Sequence, residues 1–161
     1  RGGKDVFIAK YGSSGNLIWV KKMGGSYDDF GRGIRVDNSG RVFVTGDFRS
    51  TMTVGSTTLS ASGGSDIFVT RYDANGNAVW GKKAGGSAND YSRALAIDAS
   101  SNVYITGNYG YSASFSGVAL SGADANEIFI ASYNNAGAIR WASKASGASD
   151  GSYSGDLYEM G

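Results

Sequence analysis

Asp28, Asp29, Asn89, Asp90 and Asp150 each follow closely on a glycine punctuation, at Gly24-Gly25, Gly85-Gly86 and Gly147. Carboxylates repeated along one edge supply the hard oxygen donors that calcium takes, or acceptors for the hydroxyls of a glycan. The competing duty for Asp28, Asp29, Asp90 and Asp150 is structural, because a carboxylate after a tight turn caps loop N–H groups and such a need recurs with every repeat. Tyr27, Tyr111 and Phe115 are a second candidate set. They stand where the corresponding positions of neighbouring copies carry Ala88, Ser50 and Val54. Aromatics that break a repeat, placed in loops or edge segments, are candidate ligand contacts; the alternative is that each covers a local apolar patch.

No catalytic residue emerges from the same search. The chain has no His and no Cys, which removes the commonest general base, cysteine nucleophiles and thiolate metal sites. There is no phosphate loop and no zinc spacing. Paired carboxylates could run glycoside chemistry, but the best-placed Asp residues are the repeated ones. Asp37-Asn38-Ser39-Gly40, Asp73-Ala74-Asn75-Gly76 and Asp98-Ala99-Ser100-Ser101 begin like calcium loops and lack the downstream Glu of an EF-hand, so they read as turns. The reading is therefore non-enzymatic, with no cofactor required and calcium the one ion the side chains could take. A net charge of +1, with basic residues scattered, implies no nucleic-acid partner. No apolar run approaches the roughly 20 residues that span a bilayer, so membrane insertion is not expected.

The elements that must position these residues come from an internal repeat. Asp5-Val6-Phe7-Ile8 through Tyr11 is matched by Asp66-Ile67-Phe68-Val69 through Tyr72 and by Glu127-Ile128-Phe129-Ile130 through Tyr133, at steps of 61 residues. The same step carries Gly15 to Gly76 and Gly137, and Trp19 to Trp80 and Trp141. Each period holds four short β-like runs, at 33–37, 41–46, 66–72 and 78–83, joined in pairs by turn residues, so it reads as two hairpins. Met52, Val54 and Leu59, between the hairpins, suit an extra edge ribbon or an ordered loop. Ile67-Phe68-Val69 and Val42-Phe43-Val44 are apolar at consecutive positions, which demands burial on both strand faces. Radially stacked sheets meet that demand, and the repeated Trp and Tyr are expected to pack between them. The fold class is all-β: β-propeller blades of four antiparallel strands, forming an incomplete ring.

The run Asp66 to Tyr72, then Gly76-Asn77, Trp80, Gly85-Gly86, Arg93 to Asp98 and Val103-Tyr104-Ile105-Thr106-Gly107 resembles the bacterial β-propeller repeat called SBBP. The third copy departs from it at Glu127, Ala138 and Ser146. The resemblance implies a propeller, a bacterial extracellular or cell-surface setting, and no shared catalytic residues. On this phasing residues 1–26 are the second half of a blade, 27–86 and 87–147 are blades, and 148–161 open a further one. Four blades, about the smallest ring, need about 244 residues, so the chain is expected to need the rest of its own propeller or copies of itself. A start in mid-repeat without Met favours a fragment. The expected function is a scaffold, adhesion or recognition segment with a protein or glycan partner. The alternatives are a glycan-binding lectin-like propeller, or part of a hydrolase or lyase whose active residues lie elsewhere.

Overall fold

The computed structural model describes residues 3–145. Asp150 and the expected further blade at 148–161 lie outside the described residues. Among those described there is no helix, and every strand pairing is antiparallel. β1 (Val6–Tyr11) and β2 (Leu17–Met23) form a two-stranded sheet. β3 (Phe30–Val36) and β4 (Val42–Phe48) lead into the short β5 (Thr51–Val54) and β6 (Thr57–Ser60), then β7 (Asp66–Tyr72) and β8 (Ala78–Gly85). The pattern repeats as β9 (Tyr91–Ile97), β10 (Val103–Tyr109), β11 (Ser112–Phe115), β12 (Val118–Ser121), β13 (Glu127–Tyr133) and β14 (Ile139–Ala145). The blades are therefore β3-β4-β7-β8 and β9-β10-β13-β14, with β1-β2 equivalent to a blade's third and fourth strands.

The tight turns follow from local chemistry. Oδ1 of Asp37 accepts the N–H groups of Ser39 and Arg41 at 2.9 and 3.0 Å. Asp73, Asp98 and Asn134 do the same for their own turns, each accepting from residues two and four further on. A short polar side chain thus stands in for the backbone acceptor that a reversing chain lacks. These turns all lie at one end of the strands, here the turn rim.

Both faces of the central strands are buried, as the unbroken apolar runs require. Phe68, Val42 and Val44 belong to one core cluster with Val6 and Ile8 of the preceding sheet. Ile67, Val69 and Phe43 belong to another, with Ile105, Phe129 and Tyr133 of the following blade. Alternate residues of one strand thus serve two interfaces. Full burial of a side chain such as Phe68 or Ile67 stabilises by roughly 1.5–3 kcal/mol.

A second repeated device joins the blades at their outer edge. The indole N–H of Trp19 donates to Ala74 O at 3.3 Å, and that of Trp80 to Asn135 O at 3.0 Å. Each indole lies on the turn glycine of the next blade: a Cβ on Gly76 would meet Trp19 at 2.8 Å, and one on Gly137 would meet Trp80 at 2.8 Å. Both glycines also hold φ near +80°, a conformation that costs any other residue. A cation reinforces the latch, Lys10 donating to Ala74 O and Arg71 to Asn135 O.

The segment between the hairpins is a ribbon, and it serves the neighbouring blade. β11 pairs with β12 and also with β8 of the blade before it, through Ser114↔Gly85 and Phe115↔Ala84. The β5-β6 ribbon reaches back likewise, with a bridge from Thr53 to Gly24. Its own Met52, Val54 and Leu59 are buried. Each ribbon thereby covers hydrogen-bonding groups that an outer strand would leave open.

Candidate recognition rim

The end of the strands opposite the tight turns carries the ribbons and the blade-to-blade connections, and the topology brings the described candidate residues there. Tyr27, Asp28 and Asp29 lie between β2 and β3, Asn89 and Asp90 between β8 and β9, Tyr111 directly after β10, and Phe115 at the end of β11.

Asp29 and Asp90 are buried and occupy equivalent knots. Asp29 Oδ2 accepts from Gly25 N at 2.8 Å and Oδ1 from Arg49 N at 3.2 Å, while its own N–H donates to Lys4 O. Asp90 accepts from Gly86 N at 2.7 Å and Gly110 N at 3.0 Å and donates to Ser65 O. One residue therefore ties the end of an outer strand, the head of the next blade and the start of its ribbon. Burial pushes both carboxyls above the ordinary 3.8, and the hydrogen bonds from Gly25 and Arg49, or Gly86 and Gly110, pull the other way without cancelling it. Asp28 is half-buried and accepts from Lys4 N at 2.6 Å; Asn89 is exposed. Calcium needs six to eight oxygens, and among the described residues no three acidic, His or Cys side chains converge on one point.

The three aromatics separate. Tyr27 and Tyr111 are more than half exposed on this rim. Tyr111 holds φ at 56°, as its counterpart Ser50 holds 58°, so the repeat requires the left-handed backbone there and the bulky ring is what is particular to this copy. Its N–H donates to Asp124 O, and its carbonyl accepts from Gly122 N. Phe115 is fully buried, its ring 4.7 Å from that of Phe129, and it presents no surface to a ligand. Ser112-Ala113-Ser114-Phe115 alternates polar and apolar, a signal that this side chain points into the core.

Other polar contacts of the site carry weaker sequence signals. Asp66, at the head of β7, accepts from Ser62 N and Gly63 N and pairs with Lys83 at 3.4 Å. Arg32 pairs with Asp47 at 2.8 Å across the β3-β4 hairpin and lies over Phe30, 5.0 Å from the ring centroid. One period on, Arg93 reaches Asn108 in place of an acid. The 61-residue step from Asp47 to Asn108 is the signal for that difference.

On the turn rim a depression of 320 Å³ lies between the Asp37–Arg41 and Asp98–Ser101 turns of adjacent blades. Its polar groups satisfy one another: Arg41 Nε donates to Asp37 Oδ2 at 2.6 Å, Arg41 Nη2 to Ser101 Oγ at 2.9 Å, and Ser101 Oγ to Asp37 Oδ2 at 2.8 Å. Burial raises the Asp37 carboxyl, but the hydrogen bonds from Ser101, Arg41 and Ser39 outweigh it and hold it below the ordinary value.

Residues 12–47 match the family described as SBBP, β-propeller repeat. Residues 12–47 thus carry an SBBP β-propeller repeat. The matched stretch begins in the turn before β2 and ends in β4, so the SBBP unit spans the last strand of one blade and the first two of the next. Residues 73–108 are the same stretch one period later. Two relatives share 31% identity with the chain over 111 residues: an uncharacterized WD repeat-containing protein of Acanthamoeba polyphaga mimivirus and the regulatory protein FlaEY of Caulobacter vibrioides. The alignments cover 65% and 66% of the chain but only 8% and 12% of those proteins.

Proposed function

We propose that this SBBP segment is a non-catalytic scaffold of a secreted or cell-surface protein, and that it recognises a protein partner through the ribbon rim, with Tyr27 and Tyr111 as principal contacts. The observation that carries the reading is the division of labour on that rim. Asp29 and Asp90 recur and spend their oxygens on backbone N–H groups, whereas Tyr27 and Tyr111 break the repeat and face solvent. Exposed aromatics on a rigid frame are the usual energetic anchors of a protein interface. The names of the two relatives, a WD repeat-containing protein and a regulatory protein, agree with binding rather than chemistry.

Photo-crosslinking from positions 27 and 111, with position 75 on the turn rim as control, identifies the partner, and titration then tests the site. Tyr27→Ala and Tyr111→Ala each weaken binding by about tenfold or more, while Asn75→Ala leaves it unchanged. Equal effects at both rims would overturn the assignment. Glycan recognition is the second reading, because a flat exposed ring also suits the apolar face of a sugar. A glycan-array signal lost in both Tyr variants would favour it. With Asp29 and Asp90 acting as loop caps, adding calcium after chelator treatment leaves the melting temperature unchanged; a clear rise would favour the cation site instead.

A further inference from the structure

The two end sheets expose opposite halves of the contact that joins the blades internally. On β7 and β13, Phe68, Tyr72, Phe129 and Tyr133 face the preceding sheet and are buried. Their counterparts on β1, Phe7 and Tyr11, are 72% and 60% exposed. On the other side, Ile8 and Val69 are buried against the following blade, while their counterpart Ile130 is 41% exposed. Trp19 and Trp80 lie on the turn glycine of the next blade, while Trp141 is 39% exposed. Gly15, the counterpart of Gly76 and Gly137, holds φ at 79° with nothing within 4 Å of where a Cβ would stand.

We propose that these faces bind a second copy of the chain head to tail, the Trp141 face of one copy docking on the β1-β2 sheet of the next. The occupant follows from continuity with the outer part of an interface the chain already makes twice; the inner part, where β3 and β4 lie against β9, has no counterpart on the β1-β2 sheet. The Trp latch and the Ile8/Phe68 and Val69/Phe129 neighbours use only a blade's third and fourth strands and the turn between them, and both end sheets possess these. In the proposed contact Trp141 covers Gly15 of the second copy, its indole N–H meets the Ser13 carbonyl, and Ile130 meets Phe7. Ser132 replaces the Lys10 and Arg71 of the internal latches, so this contact lacks the cation's hydrogen bond. The interface is heterologous: each copy gives one face and receives with the other.

Sedimentation velocity of the full 161-residue chain over a hundredfold concentration range reads the outcome. The average mass of wild type rises reversibly with concentration. Trp141→Ala, or Ile130→Lys should the first fail to fold by circular dichroism, spoils one face; Phe7→Lys, at an exposed position, spoils the other. Each variant alone is monomeric, but an equimolar mixture forms a species of dimer mass that grows no further, because each variant keeps the face its companion lost. A monomeric wild type, variants that associate like wild type, or a mixture no heavier than its components would each overturn the proposal. Tyr27→Ala and Tyr111→Ala leave association intact, which keeps this result separate from that of the recognition rim.

Discussion

Asp37 and Asp90 lie on opposite rims and respond oppositely to acid. The Asp37 carboxyl is held below 3.8 in the folded chain, so its contribution is present above that value and lost as pH falls through the lower folded value. The stability gap between wild type and Asp37→Asn therefore closes on acidification below about 3.8. The Asp90 carboxyl is raised by burial, so its protonation favours the folded chain. The gap between wild type and Asp90→Asn widens as pH falls from the raised folded value towards 3.8, and denaturant titrations across that range give both signs. The turn duty of Asp37 was legible because it depends on residues two to four positions away. The burial of Asp90 was not, because it arises from Gly110 and Ser65, which only the packing of one blade on the next brings near. A matched pair of glycines separates backbone from packing in the same way. Gly15 and Gly76 share a positive φ, but only Gly76 lies beneath an indole. In dilute, monomeric chain Gly15→Ala costs about 1 kcal/mol, and Gly76→Ala costs more because Trp19 must move.

At the scale of elements, the four-stranded blade was readable from paired turns and doubly apolar strands, and the ribbon from Met52, Val54 and Leu59. Which sheet the ribbon joins was not readable. The β8–β11 pairing involves two residue pairs, and Phe115 aligns with a Val whose environment is equally nonlocal. Phe115→Ala should cost about 3–5 kcal/mol, as other emptied aromatic sites do. It should also raise amide exchange at Ala84 and Gly85 ahead of β7, which hydrogen-exchange mass spectrometry resolves. Trp80→Phe keeps most of the apolar area and loses the bond to Asn135 O, for about 1 kcal/mol. The same change at Trp141 costs less in the monomer.

For the whole molecule, the step of 61 residues fixes a nearest-neighbour architecture, in which stability sums over blades and their interfaces. Exchange should accordingly be slowest in β4 and β7, which are covered on both faces, and fastest in β1-β2, which meet one neighbour. The backward reach of the ribbon gives this architecture a direction in time. Synthesis runs from β8 to β11, so an outer strand leaves the ribosome with its edge bare until residue 115 has followed it. A nascent blade is therefore always waiting on its successor, and a pause in translation between residues 85 and 112 is where premature pairing with another chain is most to be feared.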